Sequence, residues 1–157
     1  MDHLDYQILR LLRENGRETA SNIGKEIHLS VSAVLDRIKK LEDGGVIKQY
    51  TIITGDKAMG QNVAAGMDVS LEHPKYHEGF IKEICRDDNV ISCCCVTGDF
   101  DFSLRLCCRS PEELEEVYRR IKSIPGVWNT RTRCILREVK NTYSALLPQE
   151  DGGECGQ

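Results

Sequence analysis

Residues 97–102 read TGDFDF, so two carboxylates, Asp99 and Asp101, alternate with Phe100 and Phe102 behind a glycine. Carboxylates this close could work as an acid and a base, hold a metal, or accept a cation. Acid–base hydrolysis requires two carboxyls facing each other across a cleft in distinct environments. Magnesium requires further oxygen ligands and glycines that cradle phosphate. The sequence offers neither. The flanking segments, VISCCCVT and FDFSLRLCC, are both strand-like, and Gly98-Asp99 stands between them. That is the signature of a two-residue hairpin with glycine at the first central position of a type II′ turn. Asp99 is then a turn residue, and Asp101 opens the outgoing strand, facing away from Phe100 and Phe102. Two readings remain for this tip: a plain turn, or a small-molecule site built from backbone and Asp101. No catalytic set is assigned.

The eight cysteines invite a metal or redox reading. Their spacing opposes it. Cys93, Cys94 and Cys95 are consecutive, as are Cys107 and Cys108, whereas tetrahedral sites use pairs two to four residues apart on turns. These cysteines lie in apolar runs, where the thiol behaves as a small hydrophobe. No metal and no cofactor is expected.

The elements that carry these residues differ between the two ends of the chain. In the N-terminal part, Leu4, Ile8, Leu11 and Leu12 recur at helical spacing until Asn15-Gly16. Thr19 can cap a second helix carrying Ile23 and Ile27, and Ser30 a third carrying Val34, Ile38 and Leu41. Gly44-Gly45 ends that helix, and VIKQYTII, rich in β-branched residues, reads as a strand. Three short helices and a strand make a winged helix-turn-helix plan, with a tight link at His28–Ser30 and the third helix poised for a major groove. Its first turn supplies base readers at Ser30, Ser32 and Ala33, the alanine by apolar contact with a thymine methyl. Arg37 is expected at a base or a phosphate, Lys39 and Lys40 at phosphates, and Lys48 at the backbone from the wing.

Charge agrees with this division. The whole chain carries −4, yet residues 1–57 hold nine Lys/Arg and nine Asp/Glu, leaving the deficit to the remainder. A neutral unit still binds DNA if its bases cluster on one face.

From about residue 61 the period becomes two. NVAAGMDVSLE places Val63, Ala65, Met67, Val69 and Leu71 on one strand face. A helix opened by Pro74 follows, with Phe80, Ile81, Ile84 and Cys85 inward. Strands VISCCCVT and DFSLRLCC come next, then a helix opened by Ser110-Pro111 with Leu114, Val117, Tyr118 and Ile121 inward, and a last strand VWNTRTRCILREV. The order βαββαβ is ferredoxin-like, and the fold class is α+β. Two helices cover only one face of such a sheet. The other face is expected to carry Ile91, Cys93 and Cys95, or Trp128 and Leu136, according to register, and a second copy to cover it. No apolar run is long enough to span a bilayer. The N-terminus has no basic n-region, so a cytoplasmic location is expected. The tail QEDGGECGQ is acidic and Gly-rich, which predicts disorder over 148–157.

These segments carry a resemblance. LDYQILRLLRENGR, LSVSAVLDRIKKLEDGGVIKQYT, VTGDFDF, IPGVWNTRTR and EVKNT, in this order and spacing, are similar to the leucine-responsive (Lrp/AsnC, feast/famine) family of transcription factors. The resemblance implies a DNA-binding domain over 1–57 and an αβ-sandwich over 58–147 that senses a small molecule, expected to be an amino acid. It also implies homodimers that assemble into tetramers or octamers. Carried over by position, the effector residues are Val96, Gly98, Asp99, Asp101, Thr130, Thr132, Cys134 and Ile135. Asp101 suits an ammonium, the N–H groups at Gly98 a carboxylate, and the threonine hydroxyls complete the set. Ordinary cross-strand packing is the alternative role for Thr130 and Thr132.

The chain departs from the family at Gly24, where alanine is usual and a cost of about 1 kcal/mol is expected, at His28, a turn position often held by glycine, and at Cys94. Siroheme decarboxylases resemble the same two-domain plan, but are recognised by Tyr, Arg and His residues in place of the hairpin aspartates. A regulator that no longer binds DNA is a further alternative.

Overall fold

The structure, a computed structural model, describes residues 1–142. The expected disorder of 148–157 and the end of the sensing domain at 147 lie outside the described residues. Residues 1–53 form one compact body and residues 54–141 a second.

The first body holds α1 (His3–Glu14), α2 (Ala20–Ile27) and α3 (Val31–Asp43). The starts of α2 and α3 are set locally: the hydroxyls of Thr19 and Ser30 accept the N–H groups of Asn22 and Ala33, each at 3.2 Å. Asp2 caps α1 through a reciprocal box with Asp5 that the sequence reading missed. Ile8, Ile23, Ile27, Val34 and Leu41 form the core, with Leu4, Leu11, Leu12 and Ile38 packed against it.

The link between α2 and α3 turns through His28 in the left-handed region, φ 57° and ψ 42°, and the Leu29 N–H reaches back to the Gly24 carbonyl at 2.9 Å. A Cβ at position 24 would lie 2.6 Å from the Leu29 carbonyl oxygen. Glycine is therefore what lets the turn close. The expectation that Gly24 is only a helix-weakening residue is corrected.

The wing strand is also corrected. Residues 46–53 join no ladder, and Ile52 and Ile53 are 82% and 65% exposed. β-Branched residues favour a pleated, half-buried surface, not a strand standing alone, and among the described residues no neighbouring strand makes one.

The second body is a four-stranded antiparallel sheet in the order β2-β3-β1-β4. Its strands are β1 (Val63–Leu71), β2 (Val90–Cys95), β3 (Phe102–Cys108) and β4 (Val127–Ile135). Helices α4 (His77–Ile84) and α5 (Pro111–Lys122) connect them in the expected βαββαβ order, with a 3-10 turn at Pro74–Tyr76 before α4. Ala65, Met67, Val69, Leu104 and Leu106 meet Phe80 and Ile84 of α4 and Val117 and Ile121 of α5 in one core. Ile81 and Cys85 do not join it and are exposed. Ile81 sits a residue round the helix from Phe80, and Cys85 is already the C-cap.

The apolar side chains expected on the uncovered face divide: Ile91, Trp128 and Leu136 are exposed, and the two cysteines lie elsewhere. Cys93 and Cys95 pair with Leu104 and Phe102 and so share the helix-covered side. Bulges at Val90/Ser92 and Ser70/Leu71 shift the register beside Ile91 and Trp128, and a one-residue shift changes the face a side chain occupies. The open face carries Asp68, Ser103, Arg105, Arg131 and Arg133. Asp68, only 6% exposed, accepts from Ser103 at 3.0 Å, Arg133 at 2.7 Å and Arg131 at 3.3 Å. Leu136, just past β4, is 98% exposed.

Candidate DNA interface and effector site

In the first body the predicted readers stand at the start of α3. Ser32 is exposed and Ala33 half-buried. The Ser30 hydroxyl is already engaged by the Ala33 N–H and lies 3.1 Å from the Ser32 hydroxyl, which leaves Ser32 as the freer of the two. Lys39, Lys40 and Lys48 are all exposed, but Lys48 stands on the segment that forms no strand. Arg37 is differently placed. Its Nη1 donates to both carboxylate oxygens of Asp2 at 2.9 and 2.8 Å and to Asp5 at 2.7 Å. These hydrogen bonds raise the Arg37 pKa, Asp2 contributing most, and hold the Asp2 carboxyl below its ordinary value.

In the second body the hairpin is wider than the two residues expected. β2 ends at Cys95 and β3 begins at Phe102. The loop is stitched to β1 instead of closing tightly on itself. Asp101 donates its N–H to Val69 at 3.0 Å and accepts the Leu71 N–H on its carboxylate at 2.7 Å. The Asp99 carbonyl accepts the Ser70 hydroxyl at 3.0 Å. The Val96 N–H closes the loop on the Asp101 carbonyl at 3.0 Å. Gly98 adopts φ +115°, with nothing near the position of a Cβ. Phe100 lies under the Arg131 guanidinium at 4.7 Å.

The register of β4 divides the remaining candidates. Thr130, Thr132 and Cys134 pair with Val69, Met67 and Ala65, and Ile135 with Ala64. Val69 also pairs with Phe102, beside the hairpin loop. Thr130 is thus brought to the end of the sheet that holds Gly98, Asp99 and Asp101. Thr132 is mid-sheet, and Cys134 and Ile135 are toward the other end. The Thr132 hydroxyl oxygen is buried with no hydrogen-bond partner. The Tyr118 hydroxyl takes the Lys122 ammonium at 3.2 Å, and Thr130 lies beside the same hydroxyl. Both contacts lower the phenol's pKa, Lys122 more than Thr130. The sequence reading placed Tyr118 only in the core and passed over Lys122. Its one available signal was their four-residue spacing, which puts both on one helix face.

Among the described residues no cluster of three or more His, Cys, Asp or Glu could hold a metal. No described helix is long and apolar enough to cross a membrane.

Comparison with known proteins decides between the readings. Residues 1–42 match the AsnC-type helix-turn-helix domain and residues 63–145 the Lrp/AsnC ligand-binding domain. The chain belongs to the Lrp/AsnC family. It is 31% identical to the HTH-type transcriptional regulator FL11 of Pyrococcus horikoshii, over 90% of this chain and 93% of that protein. It is 30% identical to the HTH-type transcriptional regulator LrpB of Bacillus subtilis, over 96% and 99%. A solved structure of the transcriptional regulator NMB0573 of Neisseria meningitidis, in complex with L-Met, superposes with a TM-score of 0.87 at 29% identity. That likeness covers 93% of this chain and 96% of the other. This Lrp/AsnC protein is therefore a helix-turn-helix transcriptional regulator and not an enzyme. The relatives give no support to the siroheme decarboxylase alternative.

Proposed function

We propose that this Lrp/AsnC regulator reads duplex DNA with the start of α3 and adjusts that binding to an amino acid held at the hairpin loop of an oligomer. Residues 1–57 serve the first task and residues 58–147 the second. The observation that carries the DNA reading is the disposition of α3. The left-handed turn at His28 starts it 3 residues later at Val31 with Ser32 outward and Lys39 and Lys40 exposed, so readers and phosphate-binding cations share one helix. Ser30, Ser32 and Ala33 read bases, and Lys39, Lys40 and Lys48 meet the backbone.

The effector reading is supported by the L-Met bound to the Neisseria regulator and by the loop's chemistry. Asp101 commits one carboxylate oxygen to Leu71 and has further lone pairs for an ammonium. The space at Gly98 admits a carboxylate to the backbone. Val96, Asp99 and Thr130 stand at the same end of the sheet, and Thr132, two residues further along β4, holds an unpartnered hydroxyl. Cys134 and Ile135 enter such a site from a second copy, in a dimer or a larger ring.

The test is fluorescence anisotropy on a duplex from the protein's own upstream region against a scrambled duplex, at several salt concentrations, with and without each amino acid. Selective, salt-sensitive binding that shifts with one amino acid is expected. Equal binding to both duplexes under every condition would sink the proposal for that operator.

A further inference from the structure

Of the cations predicted to contact DNA, Arg37 is the one already paired with carboxylates. Its partners Asp2 and Asp5 are the two members of the α1 capping box: Asp5 N–H donates to Asp2 at 3.0 Å, and Asp2 N–H to Asp5 at 2.9 Å. One guanidinium therefore ties the first turn of α1 to the middle of α3. Apolar packing between α1 and α3 runs through Ile8, Val34, Ile38 and Leu41. Apolar packing is non-directional and tolerates a small roll of a helix about its axis. A guanidinium nitrogen bonded to three carboxylate oxygens of α1's first turn does not, because those charge-assisted bonds hold it at one place. Ala33 and Lys40 lie one turn to either side of Arg37 and line the same groove as Met1, Asp2 and Asp5. Any roll at Arg37 is thus transmitted to the base-reading turn and to a phosphate-binding lysine together. Releasing Arg37 toward a phosphate would leave two carboxylates uncompensated next to a polyanion.

We infer that Arg37 is a positioning residue for DNA recognition: held by Asp2 and Asp5, it fixes the orientation of α3 against α1 and makes no phosphate contact of its own. The inference rests on the DNA-binding reading and sharpens it.

The experiment uses the full chain with any tag at the C-terminus. The probe is the duplex that the wild-type protein enriches from a randomised pool, with a scrambled duplex beside it, each titrated over a range of salt. Melts first establish that every variant is folded at the assay temperature. Arg37→Gln is expected to bind the selected duplex at least about 10-fold more weakly and the scrambled duplex within about 2-fold, with an unchanged salt slope. Asp2→Asn shifts the same way by less, and the double variant is no worse than Arg37→Gln alone. Arg37→Lys keeps the charge and one donor nitrogen, and the three Arg37 bonds all leave one nitrogen, Nη1, so it is expected to fall between wild type and Arg37→Gln. A fall of about 0.9 in the salt slope, with both duplexes weakened alike, would show a phosphate contact and overturn the inference. Selectivity unchanged in Arg37→Gln would overturn it equally. If the wild-type protein enriches no duplex, the DNA reading itself fails, and the inference with it.

Discussion

Gly24→Ala tests the helix-turn-helix geometry most directly, because two forces on it have opposite signs. An alanine in a helix interior is favoured over glycine by about 0.8–1.0 kcal/mol, and on sequence grounds the substitution should stabilise. The structure says otherwise. The new Cβ would sit 2.6 Å from the Leu29 carbonyl oxygen, where carbon–oxygen contacts normally begin near about 3.3 Å. That oxygen is backbone and cannot rotate away. Leu29 is held by its own bond to the Gly24 carbonyl at 2.9 Å and lies between the left-handed His28 and the Ser30 cap. Opening this gap by about 0.7 Å costs about 1–3 kcal/mol, as other overpacking does. The net expectation is a loss of about 1 kcal/mol, together with weaker DNA binding, since the start of α3 must move. Urea denaturation followed by circular dichroism measures the first, and anisotropy on the selected duplex the second. His28→Gly supplies the complement. It removes a left-handed strain of about 1–2 kcal/mol against about 0.5–1 kcal/mol of added chain entropy, and lets the turn relax. Gly24→Ala should therefore cost less in the His28→Gly background. A Gly24→Ala protein stabilised by the full helix-propensity gain, with unchanged DNA affinity, would refute the close approach.

Asp101→Ala removes the acceptor of the half-buried Leu71 N–H and is expected to cost about 1–3 kcal/mol in urea denaturation. Asp101→Asn keeps an acceptor oxygen, so it should retain most of that stability while abolishing the amino-acid response of DNA binding. Tyr50, partly desolvated and bonded to Glu42 at 2.9 Å, has its pKa pushed up to about 12. The contribution of that bond is present below the ordinary phenol value and lost as pH rises through about 12. An absorbance titration should show one late tyrosine that Tyr50→Phe removes. Burial pushes the thiols of Cys93 and Cys108 up to about 11. At pH 8, mass spectrometry after brief alkylation should find both about 100-fold less reactive than in the urea-unfolded chain, and equal rates would contradict their packing.

What the sequence discloses here is what local chemistry enforces. Thr19, Ser30 and Ser110 cap helices by reaching three residues ahead, and the alternation in β1 needs only its own strand. Contacts distant in sequence leave no such trace. Asp2 and Arg37 are 35 residues apart, Asp101 and Leu71 30, Asp68 and Arg133 65. The wing failed for the same reason, because a strand's propensity does not supply its neighbour. The effector residues carried over by order along the chain meet a sharper limit. Thr130 and Cys134 pair with Val69 and Ala65, four residues apart on β1, and a strand rises about 3.3 Å per residue. Asp101 and Cys134 therefore lie on the order of 13 Å apart along the sheet, too far for one free amino acid to touch both. Either Cys134 and Ile135 have no part in the site, or they face the hairpin loop of another copy. In the second case the site is incomplete in a monomer, and occupancy by the effector must favour assembly. Sedimentation with and without the responsive amino acid separates the two: a shift to a larger species that Cys134→Trp abolishes is expected, and an unchanged assembly would remove Cys134 and Ile135 from the site.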